Sequence, residues 1–444
     1  MDILSYALQL ILSLSILVVL HEFGHYLPAK WFKTRVEKFY LFFNPKFSLF
    51  KKQIGETEWG IGWIPFGGYV KIAGMIDESM DKDQMQQPAQ PWEFRSKPAW
   101  QRLIIMVGGV TVNFLLGIFL FAMIMFVWGQ TYVKTEDAKY GIAVDSMGMK
   151  LGLMDGDLVL AADTVKMEKV ESGLLVKEII LNNAKEITVQ RNGETLKLPV
   201  FPQFSHEVTK YENKGKALYF LRVPFSMKSV TKDGNAAKAG LLDNDKILSV
   251  AGKPAEYLHD FRRVLSDNKG KNLDFTILRN NTDTITLPIQ VNEQGTIGIA
   301  LESHEKHMNI SRQTYGIGSA LGKGWSMSIN FLGDQIKAFG QMFSGKIKAK
   351  DNLGSVFSIA TMFDAGWNWE QFWRITASLS ILLAFFNLLP IPALDGGYVL
   401  FLLWEIIAGK APNDKFMEVV TYIGFLILIT LMIFAIGLDI SRWF

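Results

Sequence analysis

Uncharged stretches of membrane-crossing length punctuate the chain. Residues 3–20, 103–127, 375–394 and 419–438 carry no charged side chain. Each approaches or reaches the ~20 residues an α-helix needs to cross a bilayer. Between the second and third runs the pattern changes to short apolar strands and polar turns over about 240 residues, room for two small domains. The pattern therefore predicts a polytopic α-helical membrane protein with four spans and a β-rich insert. From Trp325 the apolar residues Trp325, Ile329, Leu332, Ile336, Phe339 and Met342 recur at helical spacing. An amphipathic helix on the membrane surface is expected there, or one packed on the insert.

Positive charges set the orientation. Only Asp2 precedes the first run, whereas Lys30, Lys33, Arg35 and Lys38 follow it, and Arg95, Lys97 and Arg102 precede the second. The loop between them is expected in the cytoplasm and both termini outside. Lys410 and Lys415 agree; Lys346, Lys348, Lys350 and Arg374 do not, but long translocated segments escape the rule. The start of the chain lacks the basic region and cleavage site of a signal peptide, so the first run is expected to be retained.

Composition adds two constraints. Of 444 residues 49% are hydrophobic, and mean hydropathy is +0.17. That is too apolar for a purely soluble chain. With no cysteine, disulfides and thiolate metal sites are excluded. The net charge of +3 points to no particular partner, and no nucleic acid is expected.

The chemistry sits where the first apolar run ends, at His21-Glu22-Phe23-Gly24-His25. Residues four apart on a helix lie about 40° apart in angle and about 6 Å apart in rise, so His21 and His25 can hold one metal ion. Glu22 lies beside them, placed to take a proton from an attacking water. Ionisable groups at membrane depth cost roughly 2.5–3.5 kcal/mol each at a helix centre, which argues for function. The third charge-free run ends in "NLLPIPALDGG", residues 387–397. Its two prolines cannot continue a regular helix, and its glycines permit close backbone approach. A broken helix at membrane depth is tolerated only inside protein or beside a watery cavity. The segment is thus expected to aim Asp395 at something, rather than merely cap the following helix.

A weak repeat organises the insert. "LGLMDGDLVL" from Leu151 and "AGLLDNDKILSV" from Ala239 share Gly-Leu, an Asp-x-Asp turn and an apolar strand. Gly152 and Gly240 are 88 residues apart, about one small domain. Both copies resemble PDZ domains, which bind chain ends at a sheet edge. His304 and His307 read as a solvated linker, and His206 and His259 have no partner visible in sequence.

Together, HExxH in the first span and "NLLPIPALDGG" in a late one make the chain resemble the site-2 protease family of intramembrane zinc proteases. The resemblance runs along essentially the whole chain. It implies zinc as cofactor, His21, His25 and Asp395 as its ligands, and Glu22 as the catalytic base. Asn387 would bind substrate, and Asn113, in the second span between Gly109 and Gly117, would contact substrate or stabilise the site. "GIGWIPFGGYVKIAG", residues 60–74, resembles a membrane-associated β-hairpin, with Gly67, Gly68, Tyr69 and Val70 as candidates to pair with an extended substrate. At Ser355, in "NLGSVFSIA", the family often has proline.

The implied layout is a first span with HExxH at 1–32, a cytoplasmic loop with the β-hairpin at 33–100 and a second span at 101–129. Two PDZ-like domains follow at 130–214 and 215–305, then a linker with the amphipathic helix at 306–371. The third span is expected at 372–402, a loop at 403–416 and the last span at 417–444. The implied setting is a bacterial inner membrane, with termini and PDZ-like domains on the periplasmic side. Implied substrates are single-span proteins, such as anti-sigma factors or signal-peptide remnants, after an upstream site-1 protease has trimmed them. The outer domains would exclude untrimmed ones. Two other functions compete: a membrane zinc protease with Glu405 as third ligand, and a non-enzymatic scaffold that binds chain ends through its PDZ-like domains.

Overall fold

Helices placed by the apolar runs form the frame of the first of two structural units. The computed structural model describes residues 2–75, 88–303 and 306–443. The first unit comprises the chain up to Gly129, Thr314–Ile336 and the chain from Asn352 onward; the second comprises Gln130–Gln313 and Lys337–Asp351. Three helices among the described residues are long and apolar enough to cross a membrane: Ile3–Trp31, Ala99–Val127 and Lys415–Arg442. They belong to α1 (Asp2–Trp31), α2 (Ala99–Val127) and, at the end of the chain, Asp414–Trp443. The expected third span is not one such helix. Ile317–Phe343, labelled α3, precedes it; α4 (Trp369–Leu388) then stops at the prolines, and α5 (Asp395–Ala408) begins after a six-residue break. The last helix is α6. Part of the expected 33–100 loop, residues 76–87, lies outside the described residues, as does His304.

Small residues decide how α3 packs. Ala320, Gly324 and Ser328, four apart, are buried. A Cβ on Gly324 would lie 2.6 Å from the Ile118 carbonyl oxygen and 2.7 Å from the Ala122 nitrogen of α2. Such stripes let helix backbones touch without needing a hydrophobic driving force. Trp325, Ile329 and Ile336 remain exposed.

The expected hairpin is a four-stranded sheet. Strands β1 (Val36–Phe43), β2 (Phe50–Ile54), β3 (Thr57–Ile61) and β4 (Ile64–Ile72) lie in the order β2-β3-β1-β4. β1 pairs with β3 in parallel and with β4 antiparallel, so β4 forms one edge. A parallel neighbour is set by tertiary packing, which no local turn signal announces.

In the second unit, residues 88 apart occupy matching places. One sheet runs Glu194–Pro199, Glu186–Arg191, Leu158–Ala162, Val165–Lys166; the other runs Asp283–Gln290, Asn272–Arg279, Lys246–Val250, Lys253–Pro254. Each holds a helix across its face, Ser172–Leu181 or Leu258–Ser266. Core residues Val159, Ile187 and Val189 correspond to Ile247, Phe275 and Ile277. The Asp-x-Asp turn divides its labour alike in both copies. Asp155 accepts the Val144 amide at 2.6 Å and Asp243 the Val230 amide at 2.7 Å. Buried Asp157 takes a two-pronged contact from Arg191 at 2.8 Å, and Asp245 one from Arg279 at 2.8 and 2.6 Å. Each arginine also donates to its repeat glycine's carbonyl, Gly152 or Gly240, at 2.7 Å.

The Arg279 guanidinium holds the Asp245 carboxyl below the usual carboxylate range, opposed by burial. A depressed folded pKa stabilises the fold above the unfolded value of about 3.9, and that contribution is lost as pH falls through the folded pKa. Asp245→Asn is therefore expected to speed amide exchange in the second sheet near neutral pH, with the gap to wild type closing as pH falls below the ordinary carboxylate range. A gap independent of pH would contradict this account.

Candidate metal centre

α1 carries its polar residues at intervals of four. Gln9, Ser13, His21 and His25 are all buried on one face, with Leu17 between them. α2 crosses that face at glycines. A Cβ on Gly24 would sit 2.5 Å from the Gly108 carbonyl oxygen, and one on Gly109 would sit 2.7 Å from His21 Cε1 and 2.8 Å from His25 Cε1. The Gly24 of the HExxH segment thus permits the crossing, a role the metal motif itself does not require.

The break after α4 delivers the carboxylate. Ala393 takes φ 82°, a left-handed conformation that costs a non-glycine residue about 1–3 kcal/mol and clusters at functional sites. Gly396 and Gly397 pack against the backbone of Leu388, Leu389 and Pro392, where a Cβ on Gly397 would lie 2.6 Å from the Pro392 Cα. Asp395 therefore opens α5 with its side chain turned to α1. Its Oδ2 lies 3.3 Å from His21 Nε2 and 3.3 Å from His25 Nε2, and the two nitrogens are 3.4 Å apart.

These three distances decide what the cluster fits. They exceed the usual 2.7–3.2 Å of an N–H···O hydrogen bond. Ligands about 2.0–2.1 Å from a tetrahedral zinc ion stand about 3.3–3.4 Å from one another. The donor triangle has that edge, and the buried Asp395 Oδ2 has no well-formed hydrogen bond. Two imidazoles and a carboxylate, with no sulfur, form a donor set suited to zinc that leaves a fourth position open. Glu405 is elsewhere: its Oε1 is 2.5 Å from Arg102 Nη2, an ion pair joining α5 to α2.

α2 supplies the groups behind the imidazoles. His25 Nδ1 lies 2.8 Å from the Ile105 carbonyl oxygen, so it carries the proton and leaves Nε2 free for a metal. His21 Nδ1 faces the Asn113 amide at 3.1 Å. Ser380 of α4 donates to the Asn113 backbone carbonyl at 2.7 Å. Asn387 Nδ2 stands 3.3 Å from His21 Nε2.

A cavity of about 490 Å³ opens on the cluster. Glu22, Asn387, Gly68, Tyr69 and Val70 line it, with Tyr398 of α5 and Glu418 and Tyr422 of α6. The Glu22 carboxyl is hydrogen-bonded by the Val70 backbone. Gly67 does not reach the cavity. It takes φ 70° against the Phe43 ring, where the pairing of β1 with β4 shifts register. Sequence reasoning missed Ile105, which acts through its carbonyl and has no side-chain signature. It also missed Ser380 of α4 and the packing role of the glycine pair at 108–109, for which the small residues of α2 were the available signal.

Ser355, where the proline was expected, donates through both its backbone N–H and its hydroxyl to buried Asp439 of α6, at 2.9 and 2.6 Å. Proline offers neither donor.

Gly109→Ala is expected to lower zinc affinity at least about tenfold, because the methyl group displaces both imidazoles. Gly340→Ala, which meets nothing within 4 Å, should not. Metal analysis of the purified variants after dialysis reads the difference; full zinc loading of Gly109→Ala would contradict the crossing geometry.

Comparison with known proteins agrees with this geometry. The family model for peptidase family M50 matches residues 9–431. A protein of Ralstonia nicotianae that bears the name of a zinc metalloprotease is 27% identical over 98% of both chains. The regulator of sigma-E protease RseP of Escherichia coli is 28% identical over 97% of both, and a Treponema pallidum protein that bears the name of a zinc metalloprotease is 22% identical over 98% of both. With the match covering nearly its whole length, the chain belongs to peptidase family M50, the site-2 proteases.

Proposed function

We propose that the chain is an intramembrane zinc metalloprotease that cuts peptide bonds within the membrane-spanning segments of trimmed single-span proteins. The observation that carries this is the 3.3–3.4 Å triangle of His21, His25 and Asp395 beside Glu22, with the two histidines and Glu22 on a helix of membrane length. Bound there, zinc would polarise the scissile carbonyl and make water acidic enough to attack near neutral pH. Glu22 would accept the water proton and return it to the leaving amine. Asn387, beside His21, would hold the substrate backbone.

Helical substrates hide their peptide bonds in their own hydrogen bonds, so they must unwind locally. β4 is a sheet edge that lines the cavity, and Gly68, Tyr69 and Val70 would pair with the extended stretch. α4 has 20 residues, about 30 Å of helix, and would serve with the following break as the third of four crossings. Both termini and the two PDZ-like domains would face the periplasm of a bacterial inner membrane. The name of the RseP relative places that protein in sigma-E regulation, and by likeness anti-sigma factors or signal-peptide remnants are the proposed substrates.

The test uses full-length protein in detergent and a single-span reporter without its ectodomain. Wild type should cleave it, Glu22→Gln should be at least about 100-fold slower, and both should hold zinc. Equal activity would remove Glu22 from the chemistry. The reporter with its ectodomain attached should resist wild type; equal cleavage of both forms would exclude gating by the outer domains.

Val70→Pro removes a backbone N–H of the β4 edge beside Glu22. Cleavage is expected to fall while zinc content stays at the wild-type level. Unchanged cleavage would sink the strand-pairing account.

A further inference from the structure

The His21 imidazole has a polar partner on each side, and the two ask for different protons. Nε2 faces the Asp395 carboxylate and the Asn387 amide, each 3.3 Å away, and Nδ1 faces the Asn113 amide at 3.1 Å. A neutral imidazole carries one proton, so the tautomer is set by what each nitrogen must do. Without metal, Nε2–H can donate to Asp395, and Nδ1 then accepts from Asn113 Nδ2. With metal on Nε2, the proton must move to Nδ1, which then needs an acceptor.

Asn113 can meet both demands. Its side chain is fully buried, and its Oδ1 has no hydrogen-bond partner. A half-turn of the amide exchanges Oδ1 and Nδ2 while leaving its shape unchanged. The backbone at this turn is held by the 2.7 Å bond from Ser380, so the amide can turn without moving the helix. Either orientation leaves one amide atom without a protein partner, so His21 decides between them. His25 lacks this freedom, because its Nδ1 partner is the Ile105 carbonyl, which can only accept. Ile105, Gly109 and Asn113 lie four apart on one face of α2, with the glycine admitting both rings between the two partners.

We infer that Asn113 is a positioning residue for His21, its amide carbonyl accepting the Nδ1 proton when the metal is bound and its amide N–H donating to Nδ1 when it is not. This rests on the metal-centre reading and takes, of the two roles expected for Asn113, stabilising the site rather than contacting substrate. A carboxylate at this position supplies only acceptors, and leucine of similar shape supplies neither.

The test measures zinc affinity of the full-length protein in detergent by competition with a chromophoric chelator, and records the visible spectrum of the cobalt-substituted form. Asn113→Leu is expected to bind zinc about 10–100-fold more weakly. Asn113→Asp, which keeps the acceptor, is expected to stay near wild type in affinity and in cobalt spectrum. Equal losses in both variants would mean that the amide N–H is the needed group, and would overturn the inference. So would wild-type zinc affinity in Asn113→Leu with a raised KM for the reporter, which would return Asn113 to substrate binding. Wild-type protein that binds no zinc would overturn the metal-centre reading itself, a result distinct from either of these.

Discussion

Burying two imidazoles and a carboxylate among apolar helices is the constraint to which the first unit is fitted. None of these groups is tolerable alone at membrane depth. His21, His25 and Asp395 answer one another at 3.3–3.4 Å, and the remaining ring nitrogens are answered by α2 through Ile105 and Asn113. For α2 to come so close, Gly24, Gly108 and Gly109 must lack side chains. For Asp395 to arrive, the third apolar run must break, and Ala393 must accept a left-handed backbone.

Polar contacts away from the site keep these helices in register. Ser13 of α1 meets Thr376 of α4 at 2.9 Å, and Gln9 reaches the Asp364 carbonyl at 2.7 Å. Arg102 and Glu405 tie α2 to α5 at the far end of the helix that begins with Asp395. Hydrogen bonds between membrane helices are worth only about 0.6 kcal/mol each on average, so their value here lies in fixing position. The donor triangle tolerates little slippage, since a shift of one helical residue moves an imidazole by about 1.5 Å along the axis.

Much of this was legible in the sequence because the chemistry is local where it matters most. The HExxH spacing places two rings on one helix face in any context, and the prolines of 387–397 announce a break. The 88-residue offset foretold matching sheets and cores, since Gly152 and Gly240 mark the same turn. Other features lie between segments and leave no local trace. The Ile105 carbonyl is a backbone atom, and Arg191 and Arg279 meet their aspartates 34 residues away. The parallel pairing of β1 with β3 depends on which strand packs beside which, so a hairpin was expected where a sheet stands. Gly67 was grouped with its strand neighbours by sequence, but the register shift turns it from the cavity.

X-ray absorption at the zinc edge of the purified full-length protein tests the central claim most directly. The account predicts about one zinc per chain, with a first shell of nitrogen and oxygen at about 2.0–2.1 Å and scattering from two imidazoles. Asp395→Asn should change that shell. Zinc without two imidazoles, or a shell unaltered by Asp395→Asn, would contradict a metal centre built from α1 and the start of α5.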